Sequence, residues 1–66
     1  MKNTIRVERA IHQMTQADLA AKIEVSRQTI NAMESNKYVP STILALKIAR
    51  LFGKKVEEIF QLEEND

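Results

Sequence analysis

Apolar positions along this 66-residue chain recur three and four apart rather than alternating, and only one proline and one glycine interrupt them. That period predicts short helices and an all-α domain. Residues with helix-start and helix-stop chemistry set the boundaries. The first helix is expected from about Thr4 to His12, with Ile5 and either Ala10 or Ile11 turned inward. Thr15 is the N-cap of the second, about Gln16 to Ile23, and Asp18 three residues later gives the capping-box spacing ahead of Leu19, Ala20 and Ile23. Ser26 caps a third helix, about Arg27 to Ser35, after the three-residue connection "EVS". Ser41 caps a fourth, about Thr42 to Phe52, whose Leu44, Ile48 and Phe52 form one stripe, and Gly53 can take the left-handed conformation that ends it. A fifth helix runs from about Val56 to Phe60, with Glu57 and Glu58 in the first turn, where the helix dipole favours acids. "FQL" also reads as extended, with the apolar-alternating "TIRV" near the N-terminus as its candidate strand partner. No repeat, low-complexity tract or linker divides residues 1–66, so one domain is expected.

Two helices of about two turns each, joined by three residues, cannot lie antiparallel; they cross steeply, as in a helix-turn-helix over residues 16–35. At about 100° per residue, Ile30, Met33 and Glu34 of the third helix fall on one side. Gln28, Asn31, Ala32 and Ser35 fall on the other, with Arg27 at its border. Nothing apolar larger than alanine lies on that outer side. Arg, Gln and Asn carry the paired donors and acceptors that match guanine and adenine edges in the major groove, and a small Ala allows close approach or contact with a thymine methyl. A merely solvated polar face would more often carry Glu and Lys. The pattern therefore predicts DNA bases as the partner of Arg27, Gln28, Asn31 and Ala32.

Charge strengthens this reading. The net charge is only +1, but residues 1–55 hold all ten Lys and Arg against four acids, a net of +6, whereas residues 56–66 hold five acids and no cation. A basic body with an acidic end favours a polyanion partner. Size matters too, because a core this small is marginal unless something reinforces it. With no cysteine and a single histidine, His12, neither a disulfide framework nor a metal site can do so, which leaves self-association. The N-terminus lacks the apolar run of a signal peptide, and no apolar segment is long enough to cross a bilayer, so a cytoplasmic protein is expected. No Ser/His/Asp set can be assembled, and the adjacent Glu57 and Glu58 point in different directions on a helix. Neither catalysis nor a cofactor nor a small-molecule ligand is indicated.

The stretch "MTQADLAAKIEVSRQTINAMESNKYVPS" resembles the Xre/Cro family of helix-turn-helix repressors, and the likeness extends from the first helix to about Phe60. It rests on T-Q at the start of the second helix, L-A in its middle, V-S-R-Q-T-I at the start of the third, E-x-x-K-Y-x-P-S after it, and A-L-K-I-A in the fourth. The resemblance implies a compact five-helix domain, lambda-repressor-like, that binds operator DNA, commonly as a symmetric dimer. Two departures stand out: the family usually has glycine where this chain has Gln13 and Glu24. If the family backbone is kept, Glu24 must accept a positive φ, which is costly for a residue with Cβ; more distorted turns are the alternative. The fifth helix also begins at Lys55, where a Ser cap is usual.

Gln16 can offer its amide and the free N–H groups of the second helix to a phosphate; in the family the corresponding Gln does this and also braces the recognition helix. Thr29 lies between the two faces and is assigned a phosphate or a thymine methyl. Asn36, Lys37 and Tyr38, in the loop after the third helix, are expected to clamp a further phosphate with a backbone amide, a cation and a phenol, although Tyr38 could equally pack under the loop. Glu34 projects inward, where a lone carboxylate is expensive; the family pairs an Arg with this Glu, which implies a structural ion pair with Arg9. Val56, Ile59, Phe60 and Leu62 are more large apolar residues than the end of so short a chain is expected to bury alone. They are assigned to a homodimer interface, segment 56–62, that sets two recognition helices on a palindromic operator. The expected function is a transcription regulator, most simply a repressor. Two alternatives stay open: the antitoxin of a toxin-antitoxin pair, for which only about six residues follow the fifth helix, and a protein-interaction module, against which Arg27, Gln28 and Asn31 speak.

Overall fold

Three of the helix starts are made by the hydroxyl groups the sequence singles out. In the computed structural model, which describes residues 1–66, the Thr15 hydroxyl accepts from the Asp18 amide and the Asp18 carboxylate accepts from the Thr15 amide, both at 3.0 Å. This reciprocal box opens α2 (Gln16–Ile23). Ser26 and Ser41 accept from the amides of Thr29 and Leu44 at 3.1 and 3.2 Å, opening α3 (Arg27–Glu34) and α4 (Thr42–Phe52). Before them runs α1 (Ile5–Ile11), and after them α5 (Val56–Ile59). Lys55, at the start of α5, has no side-chain acceptor; the cap comes from Glu58, whose carboxylate accepts from the Lys55 amide at 3.0 Å. Two strands, β1 (Lys2–Asn3) and β2 (Phe60–Gln61), pair antiparallel with Lys2 opposite Gln61 and Asn3 opposite Phe60.

The first four helices also end alike. Each is followed by one residue in the left-handed region: Gln13 (φ 55°), Glu24 (61°), Asn36 (60°) and Gly53 (67°). In each case the next amide reaches back five residues: Met14 to Arg9, Val25 to Ala20, Lys37 to Ala32 and Lys54 to Ala49, at 2.9 to 3.0 Å. These closures satisfy carbonyls that would otherwise be orphaned at the helix ends. Only Gly53 does so without a Cβ, and Asn36 is the side chain that best tolerates the conformation. Glu24 and Gln13 therefore hold strain of about 1 to 2 kcal/mol each. Replacing either by glycine removes it but adds about 0.5 to 1 kcal/mol of unfolded-state freedom. Glu24→Gly and Gln13→Gly are each expected to stabilise by about 0.5 to 1 kcal/mol, an upward shift of a few degrees in Tm for a domain this small. Thermal unfolding by circular dichroism checks this; a lower Tm in both would show that the side chains contribute more than the strain costs.

The core gathers Ile5 from α1, Leu19, Ala20 and Ile23 from α2, Ile30 and Met33 from α3, Leu44, Ile48, Ala49 and Phe52 from α4, then Ile59 and Phe60. Met14 packs against its edge, and the His12 ring lies 5.1 Å from that of Phe52 while its Nδ1 bonds the Glu8 carbonyl at 2.9 Å. Three expectations are corrected. Neither Ala10 nor Ile11 faces inward: both are exposed, Ile11 to 64%. The inward partner of Ile5 is Glu8, whose carboxylate is compensated by the Lys54 ammonium at 2.6 Å. The segment "TIRV" is the start of α1, not a strand, and β2 pairs instead with Lys2–Asn3 two residues upstream. Finally, Ile59 and Phe60 do not await a partner. α5 is a single turn, so the chain passes into β2 at Phe60, and both side chains lie buried in the chain's own core. Of the segment assigned to a dimer, half-buried Val56 and Leu62, 81% exposed, remain at the surface.

Candidate nucleic-acid interface

α3 is fixed from its inner side by a carboxylate as well as by apolar packing. Ile30 and Met33 are fully buried, and the Glu34 side chain beside them is 1% exposed. Arg9 of α1 grips it with both arms, Nε donating to Oε2 at 2.6 Å and an Nη to Oε1 at 3.1 Å, while its other Nη donates to the Met14 carbonyl at 2.9 Å. Burial pushes the Glu34 carboxyl up, but hydrogen bonds from Arg9 and Gln16 and the charges of Arg9 and Arg6 outweigh it and hold the group below the usual carboxylate range. The same bonds raise the Arg9 guanidinium above its ordinary value. Asn3 ties down the end of the helix, its amide donating to the Met33 carbonyl at 2.8 Å.

Gln16 joins this anchor to the outer face. Its amide nitrogen donates to Glu34 Oε1 at 3.1 Å and reaches Asn31 Oδ1 at 3.4 Å, and its oxygen lies 3.5 Å from an Nη of Arg27. The last two are long, weak contacts. They hold Arg27 and Asn31 in register without committing them, so both can exchange Gln16 for a ligand. Arg27, Gln28 and Asn31 are exposed together, and Ala32 is half-buried beside them. The half-buried Thr29 shares its hydroxyl with that of Ser26 at 2.9 Å.

In the loop that follows, Asn36, Lys37 and Tyr38 are exposed, so Tyr38 does not pack under it. The amides of Asn36 and Lys37 already close the end of α3, on the carbonyls of Met33 and Ala32 at 3.1 and 2.9 Å. Of the three, only the Tyr38 amide makes no backbone hydrogen bond. The face so formed has donors and acceptors on α3, flanked by the start of α2 on one side and a basic loop on the other. That arrangement suits a duplex whose bases are read between two runs of phosphate.

Sequence reasoning missed four residues that support or flank this face. Glu8 carried a signal, since it stands three residues after Ile5 on the same side of α1. Its partner Lys54, 46 residues away, carried none. Arg6, whose Nε lies 3.6 Å from Glu34 Oε1, and Asn3 reach α3 only through the folding of the N-terminal segment against it.

The helix-turn-helix family HTH_3 matches residues 5–59. The chain is similar over all 66 residues to an HTH-type transcriptional regulator, MJ0272, of Methanocaldococcus jannaschii, at 54% identity with both chains fully covered. It is likewise similar to the HTH-type transcriptional regulator YgzD of Bacillus subtilis, at 44% identity with full coverage of both. A third such regulator, from Archaeoglobus fulgidus, is 46% identical, covering all of this chain and 93% of its own. With the capped α2 and α3 joined through left-handed Glu24 and the match running from α1 through α5, this chain belongs to the helix-turn-helix family of the Xre type.

Proposed function

We propose that the protein is a sequence-specific DNA-binding transcription regulator, a repressor that occludes a promoter by laying α3 in the major groove of a palindromic operator as a homodimer. The observation that carries this reading is the outer face of α3, where Arg27, Gln28 and Asn31 are exposed together while Ile30, Met33 and the Arg9–Glu34 pair fix the opposite side. No acid and no bulky apolar residue stands on that face. Arg27, Gln28, Asn31 and Ala32 read bases, and Gln16, Thr29, Asn36, Lys37 and Tyr38 hold the backbone. Selection of bound sites from random duplex DNA tests this, and enrichment of a palindrome is expected. Recovery of unenriched sequence would overturn it.

The division of labour has its own signature. Arg27→Ala or Gln28→Ala is expected to weaken the selected site by about 1 to 3 kcal/mol per lost bidentate contact, with nonspecific binding nearly unchanged. Lys37→Ala is expected to weaken all sequences about equally. Binding titrations on the selected and a scrambled site distinguish the two; equal ratios for the Arg27 and Lys37 variants would count against the assignment.

The homodimer rests on apolar surface that the single chain leaves uncovered. Val39, Ile43 and Leu46 are exposed, Ile43 to 70%, and a groove of about 310 Å³ runs beside them between Pro40, Ala45, Val56 and Phe60. A second copy placed on this face by a two-fold axis buries a self-complementary patch. A palindrome requires such a dimer to present its two recognition helices about 34 Å apart, one turn of DNA. The interface so proposed centres on α4 and Val56 rather than on the chain's last turn.

A further inference from the structure

Arg6 is the one cation of α1 that lies beside a partner without hydrogen-bonding to it. Its Nε lies 3.6 Å from Glu34 Oε1, beyond hydrogen-bond distance, and its side chain is 73% exposed. Arg9 already bonds both Glu34 oxygens and Gln16 adds a third donor, so Arg6 contributes only its charge there and its N–H groups stay free. The position is nonetheless specific. On one side Arg6 shares the Glu34 oxygen with Gln16, at the start of α2. On the other, Asn3, three residues back, bonds Met33 and lies 3.4 Å from the Asn36 side chain at the end of α3. Arg6 thus stands between the two groups that flank the reading face, with a free guanidinium and a local field in which Glu34 is already neutralised.

We propose that Arg6 is a further DNA-contacting residue, its guanidinium donating to a backbone phosphate beside the C-terminal end of α3 and adding affinity without sequence preference. This rests on the DNA-binding reading above. A guanidinium presents a planar fork that matches phosphate oxygens, and a lysine at the same place can still make a single charged contact. One fewer phosphate contact lowers the slope of log affinity against log salt by about 0.9.

The test is the salt dependence of binding to the selected site and to a scrambled duplex, for the wild type, Arg6→Ala, Arg6→Lys and, as a control for general charge, Arg50→Ala on the exposed side of α4. Arg6→Ala is expected to lower the slope by about one and to lose affinity several-fold on both duplexes. Arg6→Lys should retain the slope, Arg50→Ala should change it little, and the Tm of all variants should match the wild type. An unchanged slope in Arg6→Ala, or an equal fall in Arg50→Ala, overturns the contact while leaving the DNA-binding reading intact. A lower Tm with an unchanged slope assigns Arg6 to Glu34 alone. A wild type that binds neither duplex overturns the DNA-binding reading and this inference with it.

Discussion

Arg9→Met is expected to destabilise the domain by about 3 kcal/mol at neutral pH, the loss that follows when one partner of a buried ion pair is removed and the other stays charged. Arg9 is 15% exposed and Glu34 1%, so water can replace little of what is lost. The pH dependence identifies the cause. In the wild type, Glu34 is held below its ordinary value, so its contribution is fully present above the unfolded carboxylate pKa. That contribution disappears as pH falls through the lower, folded value. In Arg9→Met the desolvation that opposes ionisation is no longer outweighed by Arg9, and Glu34 can fold neutral once protonated. The gap between wild type and variant should therefore be widest near pH 7 and close as pH falls below about 5. Urea titrations at pH 7 and pH 4 measure it. A gap that stays constant with pH would mean that lost packing, not the orphaned carboxylate, sets the effect.

Opposite outcomes are expected from two aspartates placed on apolar residues. Ile59→Asp puts a carboxylate at a fully buried position where α5 packs into the core. A loss of more than about 4 kcal/mol is expected, most or all of the stability of a domain of this length. The chain should be unfolded at room temperature by circular dichroism. Leu46→Asp, on the exposed side of α4, should leave the helices intact and yield a monomer in sedimentation, with much weaker binding to the selected palindrome. If Ile59→Asp is instead a folded monomer, the core described for the chain's end is wrong. If Leu46→Asp remains a dimer, the interface lies elsewhere.

Local chemistry explains why so much of the helical framework was legible. Thr15 with Asp18, Ser26, Ser41 and Gly53 each act on a partner within five residues. Their effect is set by neighbouring sequence alone, and the bounds of α2 and α4 followed from them. The inner and outer faces of α3 were equally readable, because a helix of known start has fixed angular positions. What the sequence left open at Gln13 and Glu24, positive φ or a distorted turn, the structure resolves as positive φ at both. The returning amides of Met14 and Val25 offset the strain there.

The remainder depended on contacts between residues far apart in the chain. α1 was placed in the wrong rotation because hydrophobicity alone turns Ile11 inward; the Lys54 ammonium, 46 residues from Glu8, makes a buried carboxylate acceptable and so reverses the choice. The extended reading of "FQL" and its pairing near the N-terminus hold, but the partner was sought in "TIRV" because the true one, Lys2–Asn3, is only two residues long and carries no alternation to detect. By itself the sequence determined where helices start and stop and which side chains α3 can show to a partner, since both are short-range consequences of caps and helical period. Tertiary structure alone decided which faces are buried and what lies beside the outer face of α3. Those outcomes depend on pairing a charge or a strand with a complement that only the folded chain brings near.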